Sequence, residues 1–126
     1  MTIALWCVLA AAFLPYPFTL AAKWSRRFDN HRPRLYLENT SGWQQRAHWV
    51  QLNSFEAFPA FAAAVIINRL VLGPNAAADS VALAFIAFRI TYGLLYIADW
   101  ALLRSVVWFA ASSCSVALFL LAASRG

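Results

Sequence analysis

Three stretches of this chain carry side chains able to do chemistry, at spacings that place them on helix faces. The first is RAHWVQLNSFEAFP, which holds Arg46, Asn53 and Glu56. At about 100° per residue, Asn53 falls roughly 20° and Glu56 roughly 80° from Arg46, so the three share one stripe. The second is FRITYGLLYIADW, in which Arg89, Tyr92, Tyr96 and Asp99 repeat the offsets of Arg46, Trp49, Asn53 and Glu56. The third is Arg104-Ser105. A guanidinium beside a hydroxyl can hold an anion or stabilise a thiolate.

Depth relates the first two stripes. Glu56 lies ten residues from Arg46, and Arg89 ten residues from Asp99, in each case about 15 Å along a helix. If the two helices are neighbours, Glu56 and Arg89 meet at one level, and an ion pair between them is expected. That pair reads as a structural anchor, with a direct ligand contact as the alternative. Six residues from three helices then converge on one polar cavity. Once Glu56 is paired, Arg46, Arg104 and Arg26 or Arg27 outweigh the acids, so the expected ligand is a small polar anion. Of the two histidines, His31 falls in a loop and His48 about 200° from Arg46, and both read as solvated or interfacial. The sequence contains no Ser/His/Asp or Cys/His constellation, no metal-ligand spacing and no Gly-rich phosphate loop.

The elements that position these groups are membrane helices. Of 126 residues, 63% are apolar and 12% charged, and the mean hydropathy is +0.62, far from the composition of a soluble domain. The apolar runs are continuous and do not alternate, which favours helices over a β-barrel. An all-α, four-helix transmembrane bundle in a single domain is expected, with spans at about 2–22, 43–72, 77–100 and 101–124. The first reads as a retained span and not a cleaved signal peptide. Pro15 and Pro17 predict a kink or unwound turn in it, and Pro59 a bend in the second. Gly73-Pro74-Asn75 is a turn. The join near Asp99-Trp100 is so short that the third and fourth spans must be antiparallel neighbours. Asp79, at the start of the third span, suits its helix dipole. Cys7 and Cys114 lie in apolar runs and read as small buried hydrophobes.

The net charge of +5 is not a nucleic-acid signature. Lys23, Arg26, Arg27, Arg32 and Arg34 cluster in loop 23–42, where they set topology and meet membrane lipids. With Arg46 and Arg104 they make seven basic residues at one end, against Arg69 and Arg125 at the other. The loop is therefore expected to be cytoplasmic and both termini outside.

Arg46-Ala47, then Asn53-x-x-Glu56-x-Phe58-Pro59 running into an apolar segment, resembles the second helix of the MAPEG family, the membrane-associated proteins of eicosanoid and glutathione metabolism. Arg89-x-x-Tyr92-x-x-x-Tyr96, followed by Arg104-Ser105-Val106, resembles that family's third helix and the start of its fourth. The resemblance covers nearly the whole chain and is nearest to the small bacterial members, which places the protein in a bacterial inner membrane. It implies a homotrimer with glutathione bound between subunits. By position, Asn53 and Glu56 hold the peptide part of glutathione, Tyr92 and Tyr96 add hydroxyl contacts, and Arg89 partners Glu56. Arg104 stabilises the thiolate with Ser105 beside it, and Arg26 or Arg27 reaches across the subunit interface. Two positions depart from the pattern. Trp49 stands where the family's glutathione binders usually carry arginine, with Arg46 one turn earlier as a substitute, and Ala57 stands where tyrosine or asparagine is usual.

The implied activity is a glutathione-dependent transferase or peroxidase, acting on lipophilic electrophiles or lipid hydroperoxides that enter from the bilayer. A non-catalytic relative binding another anion or a lipid headgroup in the same cavity is the alternative. A small transporter subunit is a third reading, without the inverted repeat such proteins carry.

Overall fold

The computed structural model describes residues 1–125. Six helices follow one another: α1 (Ile3–Phe13), α2 (Pro15–Ala22), α3 (Pro33–Glu38), α4 (Gly42–Leu72), α5 (Ala76–Ile97) and α6 (Ala101–Arg125). Helices α1 and α2 form one span, so four segments are long and apolar enough to cross a membrane: Ile3–Ala22, Gly42–Leu72, Ala76–Ile97 and Ala101–Arg125. The short α3 lies in the basic loop.

The prolines act differently in the first two spans. Pro15 and Pro17 remove two nearby backbone donors, and the helix breaks at Leu14 and restarts on Pro15 as its first residue. Thr19 Oγ1 then donates to the Pro15 carbonyl at 3.1 Å. Pro59 removes only one donor, and α4 runs unbroken through it.

Small residues let the helices approach closely. Ala4, Cys7 and Ala11 of α1, Ala64 of α4, Ala78 and Ala82 of α5, and Ala111 and Cys114 of α6 share one buried cluster, the usual way membrane helices gain van der Waals contact. Within it, the rings of Phe61 and Phe85 stack at 3.8 Å between centroids. Toward the loop end, Phe18, Val50 and Tyr92 form a second cluster. Gly93 makes this cluster possible, because a Cβ there would collide with the tip of the Phe18 ring. Outward-facing Leu70, Leu94, Leu102 and Leu120 supply the lipid-facing surface.

The end opposite the loop is closed by a polar latch that sequence reading missed. Asn68 is fully buried, and its Nδ2 donates to the Leu118 carbonyl at 3.0 Å. Its Oδ1 accepts from Asn75 Nδ2 at 3.0 Å, while Asn75 Oδ1 caps α5 by accepting from Ala78 N at 2.8 Å. Asp79 does more than suit its own helix dipole. Its Oδ1 accepts from Ala4 N at 2.8 Å, satisfying a free donor at the start of α1.

The link between α5 and α6 is three residues long. Asp99 takes φ 64°, its N–H bonds the Tyr96 carbonyl, and Trp100 N–H bonds the Leu95 carbonyl, each at 3.0 Å. This is a Schellman closure, in which glycine usually occupies the left-handed position. Asp99 is therefore exposed and spent on the turn, and it does not continue the Arg89–Tyr92–Tyr96 stripe. Replacing it with glycine is expected to stabilise the protein by ~0.5–1 kcal/mol, read as a higher unfolding midpoint in detergent.

Candidate functional site

The short link brings the start of α6 against the end of α5, so Arg104 lands on Tyr96. Its guanidinium carbon sits 4.3 Å from the Tyr96 ring centroid. One turn deeper, the guanidinium of Arg89 lies 4.4 Å from the Tyr92 ring centroid. The two tyrosine rings meet edge to face at 5.7 Å. Cation, ring, ring and cation thus form one row. Each arginine gains from the negative face of a ring, an interaction that strengthens as water is removed.

Around this row lies an upper chamber of about 250 Å³, lined by Tyr92, Tyr96, Arg104, Ser105, Trp108 and Phe109. The Ser105 hydroxyl donates to the Ala101 carbonyl at 3.1 Å, which still leaves its oxygen free to accept. Trp49 packs on Tyr96 with ring centroids 6.2 Å apart. The position that departs from the family pattern therefore backs the Tyr96 ring with an indole.

The expected Glu56–Arg89 ion pair is not formed. Arg89 is 2% exposed and donates from Nη2 to Ser54 Oγ at 3.4 Å, while Glu56 is exposed and turned away from Arg89. Among the described residues no acidic oxygen lies within the 4.0 Å of an ion pair from any basic nitrogen. Equal depth was the right comparison. The side chains nonetheless leave their helices in different directions, because Ser54, two residues before Glu56, faces α5 in its place. The effects of Glu56→Gln and Arg89→Leu on detergent unfolding are accordingly expected to add to within ~0.5 kcal/mol. A coupling of several-fold that size would mean that the two charges meet.

The remaining residues of the expected constellation are dispersed. Asn53 and Glu56 line a deeper chamber of about 340 Å³ between α4, α5 and α6, with Trp108, Ser112 and Ser115. They do not share the upper chamber with Arg104, so the single cavity expected from the stripes is two within one protomer. Arg46 donates from Nε to the Ile97 carbonyl at 3.0 Å. It thereby ties the start of α4 to the negative end of the α5 dipole. Arg26 and Arg27 are exposed in the loop and line neither chamber. His31 is exposed; His48, expected to be solvated or interfacial, is buried, with Nδ1 3.4 Å from Gln51 Oε1. Ser54, Trp108, Ser112 and Ser115 carried no signal at the level of the sequence. A serine or tryptophan in an apolar run reads as packing until a neighbouring helix is in place.

Chemically, the upper chamber offers an uncompensated cation against an aromatic wall near one end of the bundle, a setting in which an anion is favoured. Comparison with known proteins adds one finding. The model of the MAPEG family matches residues 3–124. No curated protein and no solved structure matches the chain.

Proposed function

The chain belongs to the MAPEG family, and from that premise we propose that it is a membrane-embedded glutathione-dependent transferase or peroxidase whose thiolate is held by Arg104. The observation that carries the reading is the Arg104 guanidinium stacked on Tyr96 with no acidic partner among the described residues. A free thiol ionises near pH 8.5, and a fixed cation beside it lowers that value. The thiol proton leaves to solvent. The thiolate sulfur then forms a C–S bond with an electrophilic carbon of a lipophilic substrate drawn from the bilayer, as the leaving group departs with its bonding pair or the displaced double-bond pair takes up a proton. With a hydroperoxide it attacks the terminal oxygen, the O–O bond breaks to release the alcohol, and the resulting glutathione sulfenic acid is reduced by a second glutathione to the disulfide and water. Ser105, exposed at the same rim, accepts a hydrogen bond from the peptide part or orients the sulfur.

Assembly as a homotrimer belongs to the same reading. Glu56 is exposed on the protomer near mid-span, where a carboxylate facing lipid costs ~2.5–3.5 kcal/mol on insertion scales. Packing against a second copy removes that cost. It also adds side chains beside Asn53 and Glu56, which in one protomer are separated from Arg104. The exposed Arg26 and Arg27 are then available to a neighbouring subunit. Seven basic residues at the loop end against two at the other support a cytoplasmic loop with both termini outside. A bacterial inner membrane is the matching location.

A second reading rests on Trp49. An indole cannot replace a bidentate arginine–carboxylate contact, and Trp49 faces Tyr96 where such a contact would form. A non-catalytic anion or lipid-headgroup site follows if glutathione is not bound. Thermal unfolding in detergent separates the two readings. Millimolar glutathione is expected to raise the wild-type midpoint, with thiolate absorbance appearing at neutral pH, whereas no stabilisation would leave the second reading standing.

A further inference from the structure

We propose that Trp49 is a positioning residue, which fixes the ring of Tyr96 and, through that ring, the guanidinium of Arg104. Little else holds Arg104. Among the described residues it makes no ion pair and no side-chain hydrogen bond, and its head rests on the face of Tyr96, 4.3 Å from the ring centroid. A long side chain with several free torsions is placed only as well as the surface it stacks on. Tyr96 in turn depends on packing. Its hydroxyl makes no hydrogen bond among the described residues, and it lies in the last turn of α5, one residue before the helix ends at Ile97.

Two aromatic rings meet that of Tyr96. Tyr92 lies edge to face with it at 5.7 Å but belongs to the same helix, so it moves with α5. Trp49 comes from α4, with its ring 6.2 Å away and inclined by 55°, and so ties Tyr96 to a second helix. One turn earlier on α4, Arg46 donates to the Ile97 carbonyl at 3.0 Å. Helix α4 thus grips two consecutive residues of α5, Ile97 by its backbone and Tyr96 by its ring. Aromatic pairs are directional as well as attractive, so the indole selects one orientation of the phenol.

Trp49 lines neither chamber. Within the protomer it reaches the upper one only through Tyr96, so it acts on the site by holding that ring. The ordinary role of a tryptophan near the end of a membrane helix is to anchor it at the interface, and the 43% exposure of Trp49 suits that role too. An anchor alone would leave Arg104 where it is. The consequence for chemistry rests on the glutathione reading, since a cation held in one place lowers the pKa of a thiol more than one that swings. The positioning itself does not rest on it.

The test measures how fast phenylglyoxal, an arginine-directed reagent, modifies Arg104 in the detergent-purified protein, read site by site by mass spectrometry. Exposed Arg27 serves as the internal standard, and buried Arg89 should stay unmodified while the bundle is intact. Trp49→Ala is expected to speed modification of Arg104 ~3-fold, the scale of one lost aromatic contact, and Trp49→Phe to keep most of the wild-type protection. In the background of Tyr96→Ala, where Arg104 is already free, Trp49→Ala should add nothing. Trp49→Leu, which keeps apolar bulk without a ring, should also speed the reaction, and it carries the test if Trp49→Ala exposes Arg89. An unchanged Arg104 rate in these variants, or the same acceleration with and without Tyr96, overturns the proposal. Glutathione turnover is measured on the same samples. Loss of the indole should lower kcat and move the plateau of the pH profile upward, with KM changed less. Absence of turnover in wild type, with Arg104 still protected by Trp49, fails the enzyme reading alone. Turnover whose pH profile ignores Trp49, with the Arg104 rate unchanged, fails the positioning alone.

Discussion

Arg104→Ala is expected to lower glutathione-dependent turnover by roughly two orders of magnitude or more, with little change in the unfolding midpoint of the ligand-free protein. The argument starts from ionisation. An unassisted thiol near pKa 8.5 is only ~3% thiolate at pH 7, whereas a cation that lowers the value by about two units makes most of it thiolate. That alone is worth roughly 25-fold. Loss of a preorganised charge at the developing transition state adds a further factor, since removing one such donor costs ~10²–10³ in comparable sites. The pH profile identifies the cause. Turnover by wild type should level off near neutrality, while the alanine variant should keep rising until about pH 8.5. The fold tolerates the change because Arg104 is half-buried, makes no ion pair among the described residues, and contacts chiefly one face of Tyr96. Arg104→Lys restores charge without the planar stack, and is expected to recover the pH profile only in part. A turnover unchanged in Arg104→Ala would show that the cation has no part in the reaction.

Gly93→Ala is the change with the largest expected cost in stability, ~1–3 kcal/mol. Gly93 is buried on α5, and the tip of the Phe18 ring occupies the space a Cβ needs. Phe18 is itself 8% exposed and packed with Val50 and Tyr92, so the ring has nowhere near to go. Its displacement would tilt α2, which begins at the Pro15 break, away from the bundle. Because Tyr92 belongs to the same cluster, the site should feel it. We expect weaker glutathione-dependent stabilisation as well as a lower midpoint. Phe18→Ala removes the obstacle at the expense of a cavity. In the background of Phe18→Ala, the further change at Gly93 should cost little, a coupling readable in a double-mutant cycle. Equal cost in both backgrounds would mean that the close approach at Gly93 does not limit packing.

The two stripes illustrate what could be read before any fold was known. Tyr92, Tyr96 and Arg104 were legible because helical periodicity and a three-residue link between α5 and α6 leave little freedom in how they meet. Glu56 and Arg89 were legible in depth but not in direction. Depth follows from a constant rise per residue, while direction depends on how far each helix turns about its own axis. Packing sets that rotation, and here it turned Ser54 toward Arg89 and Glu56 away from it. Asp99 misled for a related reason. It fits the periodicity of α5, yet the helix has already ended at Ile97 and the residue serves the closure of the link.

By itself, the sequence determined the class of the protein, the number of its spans and the cations available to them. Those properties depend on composition, run length and local spacing, which the bilayer imposes on any chain. Only the tertiary structure decided which polar groups are paired and which are left waiting. Arg46 went to the end of α5, Asn68 to the latch, and Asp79 to the start of α1. Ser112 and Ser115 were left on the wall of a chamber, and Asn53 Oδ1 was left buried without a partner. A hydrogen bond is decided over a few tenths of an ångström between residues far apart in the chain, and no local pattern encodes that distance.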